Sequence, residues 1–207
     1  FFTPDVYYFL PIDRFVDGDS LNNLNVDLEN PLGFHGGDIK GIISQFDKIK
    51  TLGITKIVLT SVQKQTNSSY ETQNSSGKSF QIFGFEGSSI DDFRKFETRL
   101  GNMNDLKNLV NLAHDNNIKI LLSFNGKQVN KNSTLLDSPG TKEYFLDKND
   151  SEICNNKNTN KRNTKCVANN SVNLNQEDST VIQSSIDFFV KIQKETLLDG
   201  IFINEAH

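Results

Sequence analysis

No run of eighteen or more apolar residues occurs in the 207-residue chain, so nothing in the sequence reads as a membrane-spanning helix. Positive charge is not in excess either. The 22 lysines and arginines stand against 26 aspartates and glutamates, a net charge of −4. A nucleic-acid surface needs a clustered basic face, so that class of partner is excluded. The opening FFTPDVYYFLPIDRF lacks a basic leader and a small-residue cleavage site. It is not an intact signal peptide, and reads either as the mature end left by cleavage or simply as the start of this stretch of sequence.

Cysteine is nearly absent: Cys154 and Cys166 are the two, both in one polar stretch. Two thiols without a neighbouring histidine pair are too few for a structural zinc site. Two readings stay open. A disulfide would close a short loop, stabilise by about 3 kcal/mol in the chain-entropy picture, and place the protein in an oxidising, extracellular setting. Free thiols would suit a reducing compartment. His35 and His114 have no metal-ligand partners at useful spacing and read as structural or solvent-facing. No strand is followed by a glycine-rich phosphate turn, since the nearest candidate, FHGGDIKG, lacks the G-x-G-x-x-G spacing.

Asparagine is what the chain has in abundance, with 26 copies. Together with lysine and serine it gathers between the apolar segments, in QKQTNSSYETQNSSGKS and NNKNTNKRNTK, as a compositional bias of surface loops does. The same bias produces N-x-S/T sequons at Asn67, Asn74, Asn132, Asn149 and Asn169, which permit glycosylation in a secreted protein. DGDSLNN, beginning at Asp17, holds carboxylates and amides that suit either a turn or a cation.

The apolar segments alternate in kind. VYYFL at 6–10, KIVLTSV at 56–62, IKILLSF at 118–124 and GIFIN at 200–204 are short and rich in β-branched and aromatic residues, as buried strands are. Between them lie helical stripes: Ile39, Ile42, Ile43, Phe46 and Ile49 with Gly53 as a stop; Leu106, Leu109, Val110 and Ala113; and Ile182, Ile186 and Phe189. Strands apolar throughout, each followed by an amphipathic helix, predict a parallel α/β sheet covered by helices. The missing phosphate turn and the long loops after the second and third strands favour a (β/α)8 barrel over an open doubly wound sheet.

At this point the chain resembles a known family. VYYFLPIDRFVDGDSLNN, FHGGDIKGIISQFDKIKTLGITKIVLTSV and FGFEGSSIDDFRKFETRLGNMNDLKNLVNLAHDNNIKILLSF, in that order, resemble the opening of α-amylases and their relatives in glycoside hydrolase family 13. The Cys154 to Cys166 spacing and VNLNQEDS look most like the inserted B domain of fungal-type α-amylases. The resemblance implies a partial (β/α)8 TIM barrel, its first four βα units formed by 1–124 and 179–207 (domain A), with 125–178 as the inserted domain B. It implies a site that binds α-glucan or maltooligosaccharide, and a calcium ion.

The positions to which the resemblance assigns function are altered. Where the family's third strand carries Asp-Val-Val-x-Asn-His, this chain has Ser123, Lys127 and Gln128. The calcium-ligand positions hold Lys127 and Gln176. Calcium takes oxygen ligands and lysine offers none, so no ion is expected there. The sugar-contacting His-Gly-Tyr is Phe83-Gly84-Phe85, which keeps a stacking face without the hydrogen bonds. The nucleophile position is Asn204, the adjacent arginine position is Phe202, and His207 falls where the family often has a substrate-contacting lysine. A retaining glycosidase needs a carboxylate to form the glycosyl ester, and an amide cannot. Glu205, one strand position on, would point to the opposite face.

The sequence therefore predicts the N-terminal half of a catalytically inactive α-amylase-like domain, a pseudo-glycosidase that binds α-glucan or serves as a scaffold, secreted or extracellular. Substrate contacts fall to Phe83, Asn204 and His207. The alternative is an active α-glucan hydrolase or transferase with an atypical site. Four βα units leave open sheet edges, which predicts a protein partner or the remaining half of a barrel against them.

Overall fold

The computed structural model describes residues 4–73, 76–83, 87, 89–146 and 171–204. Strand β1 (Tyr7–Leu10) runs through 3-10 turns at Ile12–Arg14 and Ser20–Asn22 to helices α1 (Ile39–Ser44) and α2 (Phe46–Lys50), then to β2 (Lys56–Leu59). Four short strands follow: β3 (Gln63–Gln65), β4 (Tyr70–Gln73), β5 (Ser79–Ile82) and β6 (Ile90–Phe96). A 3-10 turn at Thr98–Leu100 leads to helix α3 (Met103–Asp115) and strand β7 (Lys119–Asn125). Beyond it lie β8 (Gln128–Asn130), β9 (Ser171–Asn173), helix α4 (Ser179–Thr196) and β10 (Gly200–Asn204).

The helix starts are legible side chain by side chain. Asp38 caps α1 by accepting the Gly41 N–H at 2.7 Å. Asn102 and Asp105 form a reciprocal capping box on α3, and Asp178 accepts from Thr180 and Val181 at the head of α4. Each cap satisfies amides that the first helical turn leaves without partners. The stripe from Ile39 to Ile49 was expected as one helix and is two. The Gln45 N–H takes a tight bond to the Ile42 carbonyl, which interrupts the ladder, while Ile39, Ile42, Phe46 and Ile49 all stay buried. Gly41 is required at this point, because a Cβ there would lie 1.8 Å from the Val16 carbonyl oxygen.

Four strands make one sheet in the order β1-β2-β7-β10. All pairs are parallel, and every crossover between them passes through a helix. Neighbouring strands sit about 4.8 Å apart, so a flat sheet would separate β1 from β10 by roughly 14 Å. Yet the rings of Phe9 on β1 and Phe202 on β10 meet edge to face with centroids 5.4 Å apart. The sheet is curled, concave on the side that carries these rings. On its convex side Leu10, Ile57, Leu59, Ile120 and Leu122 pack with the inner stripes of α1, α2 and α3 into the main core.

Helix α4 differs from its expected orientation. It buries Val181, Phe188 and Ile192, whereas Ile182 and Ile186 are 45% and 47% exposed. The helix packs on α3 and β6, and its other side, with Phe124 and Ile203, lines an apolar groove along the free edge of β10. After β7 the chain leaves the sheet. β8 and β9 pair antiparallel, Asn130 opposite Ser171, and Val129, Leu135, Tyr144 and Leu174 close over Ile90 and Phe93 in a second small core. Among the described residues no helix is long and apolar enough to cross a membrane.

Candidate functional site

In parallel α/β folds the chemistry sits at the carboxyl ends of the strands. Here those ends are joined by amide hydrogen bonds. Just past β2, the Gln63 carboxamide accepts from Ser61 Oγ at 2.8 Å and donates to the Phe93 carbonyl at 3.2 Å. Its Oε1 also receives the Asn125 N–H at 3.4 Å. Buried Gln63 thus ties β2, β6 and the end of β7 together. No sequence signal pointed to it: Ser61 is near in the chain, but Phe93 and Asn125 lie 30 and 62 residues away.

At the end of β7, Asn125 Oδ1 accepts the Lys127 N–H at 3.1 Å, and Asn204 of β10 pairs with Asn125 in the backbone register. Ser123 pairs with Phe202 two residues earlier. Gln176 donates its amide to the Gly126 carbonyl at 3.1 Å, and the Leu174 N–H reaches the Lys127 carbonyl at 2.8 Å. The two positions to which the resemblance assigns calcium therefore take part in a protein-only stitch between the end of β7 and the segment before α4.

Phe83 is half-buried against the main core. Its N–H donates to the Leu32 carbonyl at 3.1 Å, and Asn30 donates to the Gln81 carbonyl at 3.0 Å. The 30–32 segment and the end of β5 are thus zipped together. Gly84, Phe85, Glu205, His207 and the Cys154 and Cys166 pair lie outside the described residues.

Two buried charge clusters support this face from beneath. Glu97 takes both the Nε and Nη2 of Arg99 at 2.8 Å, and the Gln65 N–H at 2.8 Å. Asp92 is 1% exposed and holds Arg94 through Nε and Nη2, with the Lys95 ammonium 3.1 Å away. Burial pushes the Asp92 carboxyl up, but the hydrogen bonds from Arg94 and Lys95 and the Arg94 charge together hold it below the ordinary aspartate value. A carboxyl whose pKa is lowered by folding stabilises above its unfolded value, and that contribution disappears as pH falls through the folded one. The protein should therefore lose stability below about pH 4. Asp92→Asn should be less stable near neutrality and show a shallower loss in melts run from about pH 6 to about pH 2. Parallel curves for the two proteins would refute the assignment.

The 17–23 loop brings together groups suited to a cation. Asp17 accepts from Asp19 N–H and from Asn23 Nδ2. Asp38 accepts from the Gly18 N–H and from Asn22 Nδ2. The Oδ1 atoms of Asn22 and Asn23 are buried with no hydrogen-bond donor. Two adjacent amide oxygens in that state are costly unless something positive faces them. Among the described residues no three histidine, cysteine or carboxylate side chains cluster as a metal site, so an ion here would rely on amide oxygens beside the carboxylates.

Comparison with known proteins places these observations. Residues 9–178 match the family model described as "Alpha amylase, catalytic domain". A cyclomaltodextrin glucanotransferase of Klebsiella oxytoca is 31% identical over 138 residues, 63% of this chain and 20% of the relative. A beta/alpha-amylase of Paenibacillus polymyxa is 33% identical over 119 residues, 56% of this chain and 9% of the relative. Among solved structures, an Anoxybacillus alpha-amylase superposes with a TM-score of 0.78 at 29% identity, over 96% of this chain and 40% of that one. The Geobacillus thermoleovorans alpha-amylase complexed with acarbose gives 0.75 at 28% identity, over 97% and 40%. The chain thus spans two fifths or less of each of these relatives, and it belongs to the alpha-amylase family.

Proposed function

We propose that this chain is the first half of an alpha-amylase-type barrel that binds α-glucan at the carboxyl ends of its strands and does not cleave it. One observation carries the reading: β7 and β10 run in register with Ser123 beside Phe202 and Asn125 beside Asn204. A retaining glycosidase needs a carboxylate nucleophile beside its acid/base, and these paired positions supply amides, a hydroxyl and a ring. Phe83 offers a stacking face for sugar, with Asn204 and His207 as further contacts. In this reading 1–124 and 179–207 form the barrel part and 125–178 an inserted domain. The Cys154 to Cys166 pair is a disulfide and the protein works outside the cell. The concave face, with Phe9 and Phe202, packs against four further βα units.

Calcium fits the 17–23 loop better than the Lys127 and Gln176 positions. Gln176 turns its NH2 to the Gly126 carbonyl and has a single neutral oxygen to offer an ion, while Lys127 brings a positive charge. In the loop, Asn22 and Asn23 would hold the ion through the oxygens that have no donor, alongside Asp17 and Asp38. Its contribution would be to rigidify the loop that precedes α1.

The test is calorimetry with maltoheptaose alongside a reducing-sugar assay on the same sample. Binding without turnover is the expected result. Phe83→Ala should weaken binding about tenfold, the worth of one aromatic stacking contact. Turnover that vanishes in Glu205→Gln would overturn the pseudo-glycosidase reading, and absence of binding would overturn the glucan reading.

A further inference from the structure

One ring nitrogen in this protein faces two partners of opposite demand. His35 Nε2 lies 2.8 Å from Arg14 Nη1 and 3.0 Å from the Asn30 carbonyl oxygen. A guanidinium only donates, so its bond requires Nε2 to present a lone pair. A carbonyl only accepts, so its bond requires Nε2 to carry a proton. The nitrogen can satisfy one of them at a time.

We propose that His35 and Arg14 form a proton-sensitive latch that positions Phe83. With His35 neutral and its proton on Nδ1, Nε2 accepts from Arg14. The same Arg14 Nη1 donates to the Pro31 carbonyl at 2.9 Å, so Arg14 grips the 30–35 segment at two points. That segment receives the Phe83 N–H at Leu32 and donates to Gln81 from Asn30. The grip on the end of β1 is thereby carried to Phe83. When His35 takes up a proton, Nε2 loses its lone pair and donates to Asn30 instead, and a second cation faces Arg14. The proton comes from solvent, since His35 is only partly buried.

The charged groups around the ring come from three elements. Arg14 follows β1 and has the Asp13 carboxylate 2.9 Å from its Nε. Asp27 lies on the same loop and accepts the Asn30 N–H at 3.3 Å. Arg99, from the 3-10 turn before α3, sits 5.6 Å from the ring centre of Phe34, the residue before His35. Asp13 is already engaged by Arg14, and Asp27 holds the Asn30 backbone through its N–H.

His35 and Arg14 are positioning residues in this account. Its bearing on sugar affinity rests on the glucan-binding reading, whereas the latch itself is read directly at the Phe83 amide. Nitrogen-15 NMR of the full chain should show the neutral His35 ring carrying its proton on Nδ1, the tautomer that leaves Nε2 free to accept from Arg14. Hydrogen exchange, corrected for the intrinsic pH dependence, should show protection of the Phe83 N–H falling about tenfold between the neutral and the protonated His35 ring, the two states being followed by the same NMR signals. His35→Gln keeps an acceptor for Arg14 with no proton to gain, and its protection should stay flat. A neutral His35 carrying its proton on Nε2 would overturn the latch, as would Phe83 protection that ignores the His35 titration. If protection titrates while maltoheptaose fails to bind at either pH, the latch stands and the glucan reading falls.

Discussion

Asp38→Ala should lower the unfolding free energy by about 2 to 4 kcal/mol, the sum expected when a helix cap and two further part-buried donors lose one acceptor. Asp38 is 0% exposed. Its Oδ1 accepts from Gly41 at 2.7 Å and Gly18 at 3.1 Å, and its Oδ2 from Asn22 Nδ2 at 2.9 Å. Alanine fills none of these roles. Guanidinium unfolding gives the number directly, and Asp38→Asn should fall between, because its amide still offers one oxygen. A loss below about 1 kcal/mol would mean the 17–23 loop and α1 are held by something else. The same experiment examines calcium. If the ion sits at Asn22 and Asn23, millimolar calcium should raise the wild-type midpoint by mass action, and an Asn22→Ala/Asn23→Ala double variant should not respond.

Glu97→Ala should be at least as damaging, at about 3 to 5 kcal/mol, for a different reason: it strands a charge. Arg99 is 4% exposed and rests face-on near Phe34, so without Glu97 its guanidinium remains inside with its main acceptor gone. Gln65 and Arg99 would also lose the acceptor of their backbone N–H groups. If the stranded charge dominates, the double variant Glu97→Ala/Arg99→Met should recover much of the loss, since removing both members of a buried pair is far milder than removing one. Equal destabilisation of the single and double variants would instead assign the loss to the backbone hydrogen bonds. The outcome matters for the site because Glu97 and Arg99 anchor Gln65 at the end of β3, which runs beside β6 under Gln63.

Much of the architecture was legible from the chain alone, because burial leaves a periodic imprint. The four apolar runs became the four parallel strands, with no end off by more than three residues. Gly53, expected as a stop, follows α2 in the left-handed region at φ 69°. Such signals are local: each depends on residues a few positions apart and on which side meets the core. The order of motifs likewise carried the family, which needs no three-dimensional knowledge.

What the periodicity could not say is which partner each face meets. The 182, 186 and 189 stripe is regular, yet α4 turns a neighbouring stripe inward because α3 and β6 lie on that side. The curl of the sheet appears only where Phe9 touches Phe202 across its whole width. Gln63 reaches Asn125 across 62 residues, Gln176 reaches Gly126 across 50, and Arg14 reaches His35 across 21. A polar side chain in a loop reads as solvated until the fold places a second one against it. The sequence by itself determined the four parallel strands, the apolar stripes of the helices between them, and the family. The tertiary structure alone decided which amides clamp those ends, which oxygens are left without donors, and which histidine nitrogen must choose between two neighbours, because these depend on distances that close only when the chain folds.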